Sequence, residues 1–200
     1  NLLSGVYRPD SGQIRFLDRD ITGLPSHRIC HEGICRTYQI PEPFEAMTAL
    51  GGVCVAVING KPRQHLALSD AVLEASYYLE FVGLFSKRDT LAKELTLYEL
   101  RMLELARALA TTPRLLLLDE PMAGLNPGEA SQALELIWSA QEQFGVTILW
   151  IEHVMKVIMA AAQRIVVLHY GCKIAEGLPD EISRDDNVIK AYLGGKYARN

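Results

Sequence analysis

Two carboxylates, Asp119 and Glu120, directly follow a run of four leucines at 115–118. Such a run predicts a buried strand, and open α/β sheets bind their ligands beyond the carboxyl ends of their strands, where these two side chains must emerge. At that position Asp119 can hold Mg²⁺ through its oxygens, and Glu120 can orient or activate a water for attack on phosphorus. The alternative without chemistry is a strand that ends in a charged turn.

Two further polar residues are predicted to follow strands of the same core. His153 comes after the apolar run at 146–151, and from there its imidazole could contact a terminal phosphate. Gln39 comes after the predicted strand at 34–38, and its amide could bind a metal or a water. The alternatives are a histidine with only local hydrogen bonds and a solvated loop glutamine.

Thr96 and Glu99 have the spacing of a capping box, in which each side chain bonds a backbone amide of the first helical turn. Capping alone accounts for both residues, but the amides and dipole at a helix start also bind anions. Asn126 is predicted to cap another helix, which has Pro127 at its first position and Gly145 just past its end.

Short apolar runs predict the strands that position these residues. The runs at 115–118, 146–151 and 165–168 are typical of strands buried on both faces of a parallel sheet. The capped helix between the first two runs completes a strand–helix–strand crossover. A turn at Tyr170 and Gly171 is predicted to connect the third run to a strand at 173–175.

The first half of the chain predicts further strands and then helices. Alternating polarity at 12–18 predicts a half-buried strand. From residue 46 the chain is predicted to be mainly helical, with Asp70 as the N-cap of a helix over 71–82. The sequence therefore predicts a single α/β domain of 200 residues that a helical segment interrupts. Its parts would be a core at 1–45 and 111–176, a helical subdomain at 46–110 and a C-terminal tail at 177–200.

Composition and charge exclude several classes of protein. Hydrophobic residues make up 49% and charged residues 22%, which is typical of a packed globular chain. The formal net charge of −4 does not favour nucleic-acid binding, which needs a basic face. The apolar run at 49–58 is shorter than the roughly 20 residues of a membrane-spanning helix. The four cysteines match no zinc pattern and are predicted to be reduced thiols of a cytosolic protein.

Taken in order, these residues resemble the motifs of the ATP-binding subunit of ABC transporters over the whole chain. The segments at 122–127, 151–153 and 191–194 are similar to the branched-chain amino-acid importer branch in particular. By this resemblance the motifs are the Q-loop at 36–39, the signature at 95–99, Walker B at 115–119, the catalytic Glu120, the D-loop at 123–126 and the switch histidine His153.

The resemblance implies a fold, ligands and a site. The fold would be a P-loop NTPase-like core with a mainly parallel sheet, interrupted by a helical subdomain, and the ligands would be ATP and Mg²⁺. Asp119 and Gln39 would hold the metal, and Glu120 and His153 would be catalytic. The residues implied at the nucleotide are Gln39, Thr96, Glu99 and Asn126, with Thr96 serving the nucleotide of the opposite subunit.

Partners and a location are implied as well. The partners would be transmembrane permease subunits and a second ABC ATPase subunit, in a homodimer or a heterodimer, and no nucleic acid. The protein would be peripheral at the cytoplasmic face of the cell membrane and would contact the membrane only through the permease. Residues 46–95 are predicted to form the surface that meets the permease, with Phe44 in a proline-flanked stretch just before them.

The chain departs from the family pattern in two places. Leu97 and Tyr98 replace both glycines of the signature, and Glu99 replaces its glutamine. The phosphate-cradling sequence Gly-x₄-Gly-Lys-Ser/Thr does not occur among the 200 residues. By the resemblance it would end a few residues before Asn1, so we expect an N-terminally incomplete subunit that is inactive alone.

Two functions therefore stay open at this point. The first is an ATP-hydrolysing motor subunit of an importer, with branched-chain amino acids as the cargo that the family branch suggests. The second is a non-catalytic pseudo-ATPase that completes a heterodimer and only transmits motion. Asp119, Glu120 and His153 together favour the motor, and Tyr98 favours the pseudo-ATPase.

Overall fold

The computed structural model describes residues 1–60 and 66–193, which belong to two compact units, Asn1–Ile151 and Glu152–Asn200. In the first unit the elements are β1 (Arg15–Phe16), β2 (Arg19–Asp20), α1 (Ser26–Glu32), β3 (Ile34–Arg36), α2 (Ala49–Asn59), α3 (Leu68–Phe81), α4 (Leu97–Ala110), β4 (Leu115–Asp119), α5 (Pro127–Phe144) and β5 (Thr147–Ile151), with short 3₁₀ helices at Phe85–Lys87 and Ala92–Glu94. In the second unit they are α6 (Met155–Ala161), β6 (Ile165–His169), β7 (Cys172–Gly177), α7 (Pro179–Ile182) and α8 (Asp186–Leu193). The boundaries predicted for core, helical subdomain and tail stay predictions.

β4 is the central strand of a three-stranded parallel sheet in the order β3–β4–β5. Leu117 packs with Ile29 and Ile34 on one face of the sheet. On the other face, Leu118 lines a small cavity together with residues of α4 and α5, among them Ile137. Because both faces are covered, the leucine run is buried as predicted, and α5 makes the predicted crossover between two parallel strands.

The prediction that all three apolar runs form strands buried on both faces of a parallel sheet is wrong for β5 and β6. β5 is an edge strand of the three-stranded sheet of its unit, and Leu149 and Ile151 on one of its faces are exposed. β6 pairs with β7 in an antiparallel two-stranded sheet. The predicted turn explains this pairing, because Tyr170 and Gly171 both have positive φ, as a two-residue hairpin requires.

The predicted strand at 12–18 is shorter than expected for a similar reason. The strand covers only Arg15–Phe16, because Leu17 and Asp18 adopt positive φ and turn the chain back into β2. The predicted strand at 34–38 is confirmed as β3, which ends at Arg36.

The predicted helical stretch is confirmed by α2, α3 and α4, which pack on one another. Asp70 is not the N-cap of α3, since the helix begins at Leu68 and places Asp70 in its first turn, where a carboxylate favours the helix dipole. Among residues 1–60 and 66–193, no helix is long and apolar enough to cross a bilayer.

Candidate functional site

The carboxyl ends of β3 and β4 bring Gln39, Asp119 and Glu120 to one edge of the sheet. β4 ends at Asp119, so Glu120 is the first residue after the strand. The Gln39 Nε2 donates a hydrogen bond of 2.9 Å to Glu120 Oε2, across 81 residues of sequence. Three residues that the sequence singled out separately therefore share one place in the fold.

The backbone of Glu120 is held in an unusual conformation. Its φ of 45° lies in the left-handed region, which residues other than glycine rarely adopt. The Glu120 N–H donates to the carbonyl of Ile151 at the end of β5, at 2.9 Å. This bond and the one from Gln39 fix where the carboxylate points, and such backbone outliers concentrate at functional sites.

Arg36 supplies the positive charge at this edge. Its Nη2 donates to Asp119 Oδ2 at 2.6 Å, and the guanidinium lies 4.9 Å from the ring centroid of Tyr38. The two side chains are only 13% and 23% exposed, so the pair is partly shielded from solvent. Arg36 also donates to Asn1 and Ser4. Sequence analysis placed Arg36 in a motif but assigned it no role.

The oxygens of this edge fit a magnesium–phosphate ligand better than a bare metal ion. The carboxylates of Asp119 and Glu120 and the amide oxygen of Gln39 are the hard donors that Mg²⁺ prefers. Across residues 1–60 and 66–193, however, no three His, Cys, Asp or Glu side chains form a group that could hold a metal by themselves. A bound Mg²⁺ would therefore take its remaining ligands from water and from phosphate oxygens.

A buried ion pair on α4, Arg101 and Glu104, holds the backbone just before and at Gln39. Arg101 Nη1 donates to the Tyr38 carbonyl at 2.9 Å, and Nη2 donates to the carbonyls of Gln39 at 2.6 Å and Ala123 at 3.3 Å. The Tyr38 N–H donates to Glu104 Oε1 at 2.6 Å. Both charged residues are more than nine-tenths buried. Burial lowers the pKa of Arg101, and it raises the pKa of Glu104 against the opposing bond from Tyr38.

Arg101 and Glu104 were not predicted as site residues, although their pattern in the sequence is a signal. The two opposite charges stand three residues apart within a helix that is otherwise mostly Leu, Met and Ala. Two polar atoms at this pair, Arg101 Nε and the neighbouring Thr37 hydroxyl, are buried with no hydrogen-bond partner in the described part of the chain. Both residues line a cavity of about 20 Å³, which is the size of a single water.

The side chains predicted at the nucleotide from two helix starts are committed to capping. Thr96 Oγ1 accepts from the Glu99 N–H, and the Glu99 carboxylate accepts from the Thr96 N–H at 2.9 Å and also pairs with Lys87. Asn126 Oδ1 accepts from the N–H groups of Gly128 and Glu129, both at 3.0 Å. The predicted caps are confirmed, and the nucleotide contacts of Thr96, Glu99 and Asn126 stay predictions.

The start of α4 lies against the loop that follows Glu120. Gly124 has φ +81°, and a Cβ at this position would be 2.8 Å from the Leu97 side chain. Burial, and then the charge of Glu129 at the start of α5, raises the pKa of Tyr98. Leu97 therefore lies against this loop, and Tyr98 is partly buried. By the resemblance these two residues replace the glycines of the signature.

His153 lies in the second compact unit, where its imidazole is 67% exposed. Its Nδ1 is 3.6 Å from the buried carboxylate of Glu152, whose Oε1 accepts from the N–H groups of His153 and Val154. These bonds fix the backbone at the start of the second compact unit. The predicted action of His153 with Glu120 stays a prediction.

Comparisons with known proteins give the family. The ABC transporter family matches residues 1–123, and a family described as branched-chain amino acid ATP-binding cassette transporter matches residues 172–198. The chain is 38% identical over 205 residues to the high-affinity branched-chain amino acid transport ATP-binding proteins BraF of Pseudomonas aeruginosa and LivG of Escherichia coli. Each alignment covers 97% of this chain and 80% of the relative.

Solved structures agree with the sequence relatives. An ATP-binding cassette of an ABC transporter superposes with a TM-score of 0.84 at 30% identity, and its ADP conformation with 0.81 at 29%. Each match covers 97% of this chain and 81% of the solved chain. The predicted P-loop NTPase-like α/β fold is confirmed by this likeness. The chain belongs to the ABC transporter family of ATP-binding subunits, in the group that includes the branched-chain amino acid transport proteins.

Proposed function

We propose that this chain is part of the ATPase subunit that powers an importer of branched-chain amino acids. The hydrogen bond from Gln39 to Glu120, beside Asp119, carries the proposal, because it joins a metal-binding amide and a candidate base at the end of a buried strand. The names of the relatives support the cargo. The relatives do not support a pseudo-ATPase, and Asp119, Glu120 and His153, which together favour the motor, are all present.

In this proposal Glu120 is the general base. Its carboxylate accepts a proton from water while the water oxygen bonds to the terminal phosphorus and the bond to the ADP oxygen breaks. Gln39 orients the carboxylate through its amide, and the left-handed backbone of Glu120 turns the side chain toward that amide. His153 contacts the terminal phosphate as the second catalytic residue.

Asp119 and Gln39 would hold Mg²⁺, which supplies a positive charge that neutralises the phosphate oxygens when it is bound. Arg36 already neutralises Asp119 from the neighbouring strand, so this carboxylate is kept in place without a metal. At the starts of α4 and α5 the capping boxes use both the N–H groups and the side-chain oxygens of Thr96, Glu99 and Asn126. These residues would therefore act on phosphate through the positive ends of the helix dipoles that their caps hold in place.

The segment after Gln39 and the helices that follow are proposed to bind the transmembrane permease subunits. Ile40, Phe44 and Met47 are large apolar side chains that are exposed here. The Arg107 guanidinium lies 4.5 Å from the Phe44 ring centroid and donates to the Glu42 carbonyl, which holds this segment in shape. The proposed assembly also contains a second ATPase subunit, and it places the protein at the cytoplasmic face of the membrane.

Cross-linking tests the permease surface. Cysteines placed at Glu42 or Glu45, both exposed, should cross-link to the transmembrane subunit in the assembled transporter. A cysteine at Glu135, exposed on α5, serves as the control for non-specific reaction. A complex in which positions 42 and 45 react no more than position 135 would contradict this part of the proposal.

Glu120→Gln in the full-length protein with its membrane subunits tests the ATPase. The variant should hydrolyse ATP roughly 10²- to 10⁴-fold more slowly, because glutamine cannot accept the proton, and it should still bind ATP. Glu142→Gln, at an exposed position of α5, removes the same charge elsewhere and should leave turnover unchanged. Near-normal hydrolysis by Glu120→Gln would overturn the assignment. Leucine uptake into vesicles that does not depend on ATP would overturn the motor, and the absence of leucine uptake by an assembly that hydrolyses ATP would overturn the cargo.

A further inference from the structure

The buried pair Arg101 and Glu104 bonds the backbone of Tyr38 and Gln39 at three successive peptide groups. Glu104 accepts from the Tyr38 N–H, and Arg101 donates to the carbonyls of Tyr38 and Gln39. Three of the backbone polar groups of these two residues are therefore held by two side chains of α4. The last bond of strand type is the one from the Thr37 N–H to the Leu117 carbonyl, so Tyr38 and Gln39 lie just beyond the strand pairing.

The chemistry of the pair suits this task. A guanidinium presents its donors in a rigid planar fork, which can bond two carbonyls in one geometry. The carboxylate of Glu104 lies 4.0 Å from Arg101 Nη1 and balances its charge inside the protein. Two buried charges are expensive unless further hydrogen bonds satisfy them, and here backbone groups of the Gln39 segment provide those bonds.

The same guanidinium also reaches the loop after Glu120. Arg101 Nη2 donates to the Ala123 carbonyl at 3.3 Å as well as to Gln39. Arg101 lies in the second turn of α4, about 7.5 Å along the axis from Thr96 at 1.5 Å per residue. One side chain therefore connects the helix that begins at Thr96 with the segments that carry Gln39 and Glu120.

We propose that Arg101 and Glu104 are positioning residues. They hold the Gln39 backbone where its side-chain amide can bond Glu120, and they couple the position of Gln39 to that of α4. In the Gln39 segment they bond to backbone groups, and they act on hydrolysis through Gln39. A shift of the helix start at Thr96 is carried to Gln39 by this pair. The inference rests on the proposed ATPase function, in which Gln39 orients Glu120.

A double-mutant cycle in the full-length protein with its membrane subunits tests the proposal. Arg101→Gln should lower kcat for ATP hydrolysis roughly 10²-fold, the scale of a misplacement near 1 Å, with a much smaller change in KM. In a Gln39→Ala background the same substitution should cause little further loss, because its target is gone. Losses that simply multiply would mean that Arg101 acts on general stability and would overturn the proposal.

Amide hydrogen exchange gives a second readout that does not depend on turnover. Arg101→Gln should speed exchange at residues 37–40 by roughly tenfold, while amides of β4 keep their protection. Glu104→Gln keeps an oxygen that can accept from the Tyr38 N–H, so it should retain most of the protection at Tyr38 and most of kcat. Its free energy of unfolding should fall, because Arg101 loses its buried counter-charge. Arg88→Gln, which removes a guanidinium outside α4 that pairs with Asp89, should leave exchange at 37–40 unchanged.

The two kinds of failure are distinguishable. If Gln39→Ala hydrolyses ATP at the wild-type rate, the proposed role of Gln39 is overturned. The effect of Arg101 and Glu104 on hydrolysis, which depends on that role, is then overturned as well. If Gln39→Ala is slow but Arg101→Gln leaves both exchange and kcat unchanged, the pair alone is overturned. Urea unfolding of each variant establishes that it is folded, and Arg101→Lys supplies a milder change if Arg101→Gln is not.

Discussion

The guanidinium of Arg36 on β3 lies 2.6 Å from the carboxylate of Asp119 at the end of β4, across 83 residues of sequence. The parallel register sets Arg36 opposite Leu117, two residues before Asp119, so the arginine reaches forward along the edge of the sheet. The pair joins the end of one strand to the end of the next. It also provides the negative charge of Asp119 with a partner inside the chain.

This pair should contribute to stability, because both side chains are largely shielded from solvent. Arg36→Met leaves a partly buried carboxylate without its cation and should lower the free energy of unfolding by roughly 1–3 kcal/mol. Arg19→Met breaks the ion pair with Glu32, in which Arg19 is 73% exposed, and should cost less than about 1 kcal/mol. Urea unfolding of both variants makes the comparison. Equal losses would show that the Arg36 pair is no stronger than a surface pair.

A glycine is expected to be required at position 124, where the loop after Glu120 lies against the start of α4. Gly124→Ala puts a side chain at φ +81°, which costs roughly 1–2 kcal/mol, and places the new methyl group against Leu97. Gly145→Ala has the same kind of strain, at φ +62°, with nothing near the new Cβ. Thermal unfolding should therefore show a larger loss for Gly124→Ala, by about 1 kcal/mol. Adding Leu97→Ala should remove that difference, and equal losses in the two single variants would contradict the predicted clash.

Cys30 is expected to react as a thiolate near neutral pH. A hydrogen bond from the Cys35 thiol lowers the pKa of Cys30 to about 6, with a smaller contribution from His31 against the effect of burial. The thiolate is the nucleophile, so alkylation of Cys30 by iodoacetamide should rise through pH 6 and level off above it. Mass spectrometry of the alkylated peptide measures this profile.

One variant, Cys35→Ala, and one further cysteine, Cys54, serve as controls for the alkylation experiment. Cys35→Ala removes the donor and should move the midpoint of Cys30 alkylation upward, toward the ordinary thiol value of about 8.5. Cys54, whose pKa burial raises, should react more slowly than Cys30 throughout. A wild-type midpoint near the ordinary thiol value would show that Cys35 does not donate to Cys30.

Residues 1–200 alone are expected to bind Mg-ATP weakly, because this stretch contains no Gly-x₄-Gly-Lys-Ser/Thr sequence. Each charge-assisted hydrogen bond to phosphate is worth roughly 1.5–3 kcal/mol, so the lack of even three should weaken binding by about a thousandfold or more. Asp119 and Glu120 would also repel the triphosphate. Calorimetric titration of this stretch beside the full-length protein tests the expectation, and a micromolar dissociation constant would contradict it.

The sequence by itself determined the features that depend on neighbours along the chain. The leucine run of β4, the capping box at Thr96, the N-cap at Asn126 and the turn at Tyr170 are all local signals, and each is present where it was predicted. The order of motifs was equally visible, and it led to the family. These features need only the spacing of residues within one element, which the chain carries wherever it lies in space.

The tertiary structure alone decided which distant residues meet. The contact of Arg36 with Asp119, and the hold of Arg101 and Glu104 on the Gln39 segment, join residues more than 60 positions apart. They depend on strand register and on which face of α4 lies against the sheet. The exposed face of β5 was decided in the same way, because an apolar strand is buried only where another layer covers it. The apolar residues of a strand show that it can be buried, and the packing of neighbouring elements decides whether it is.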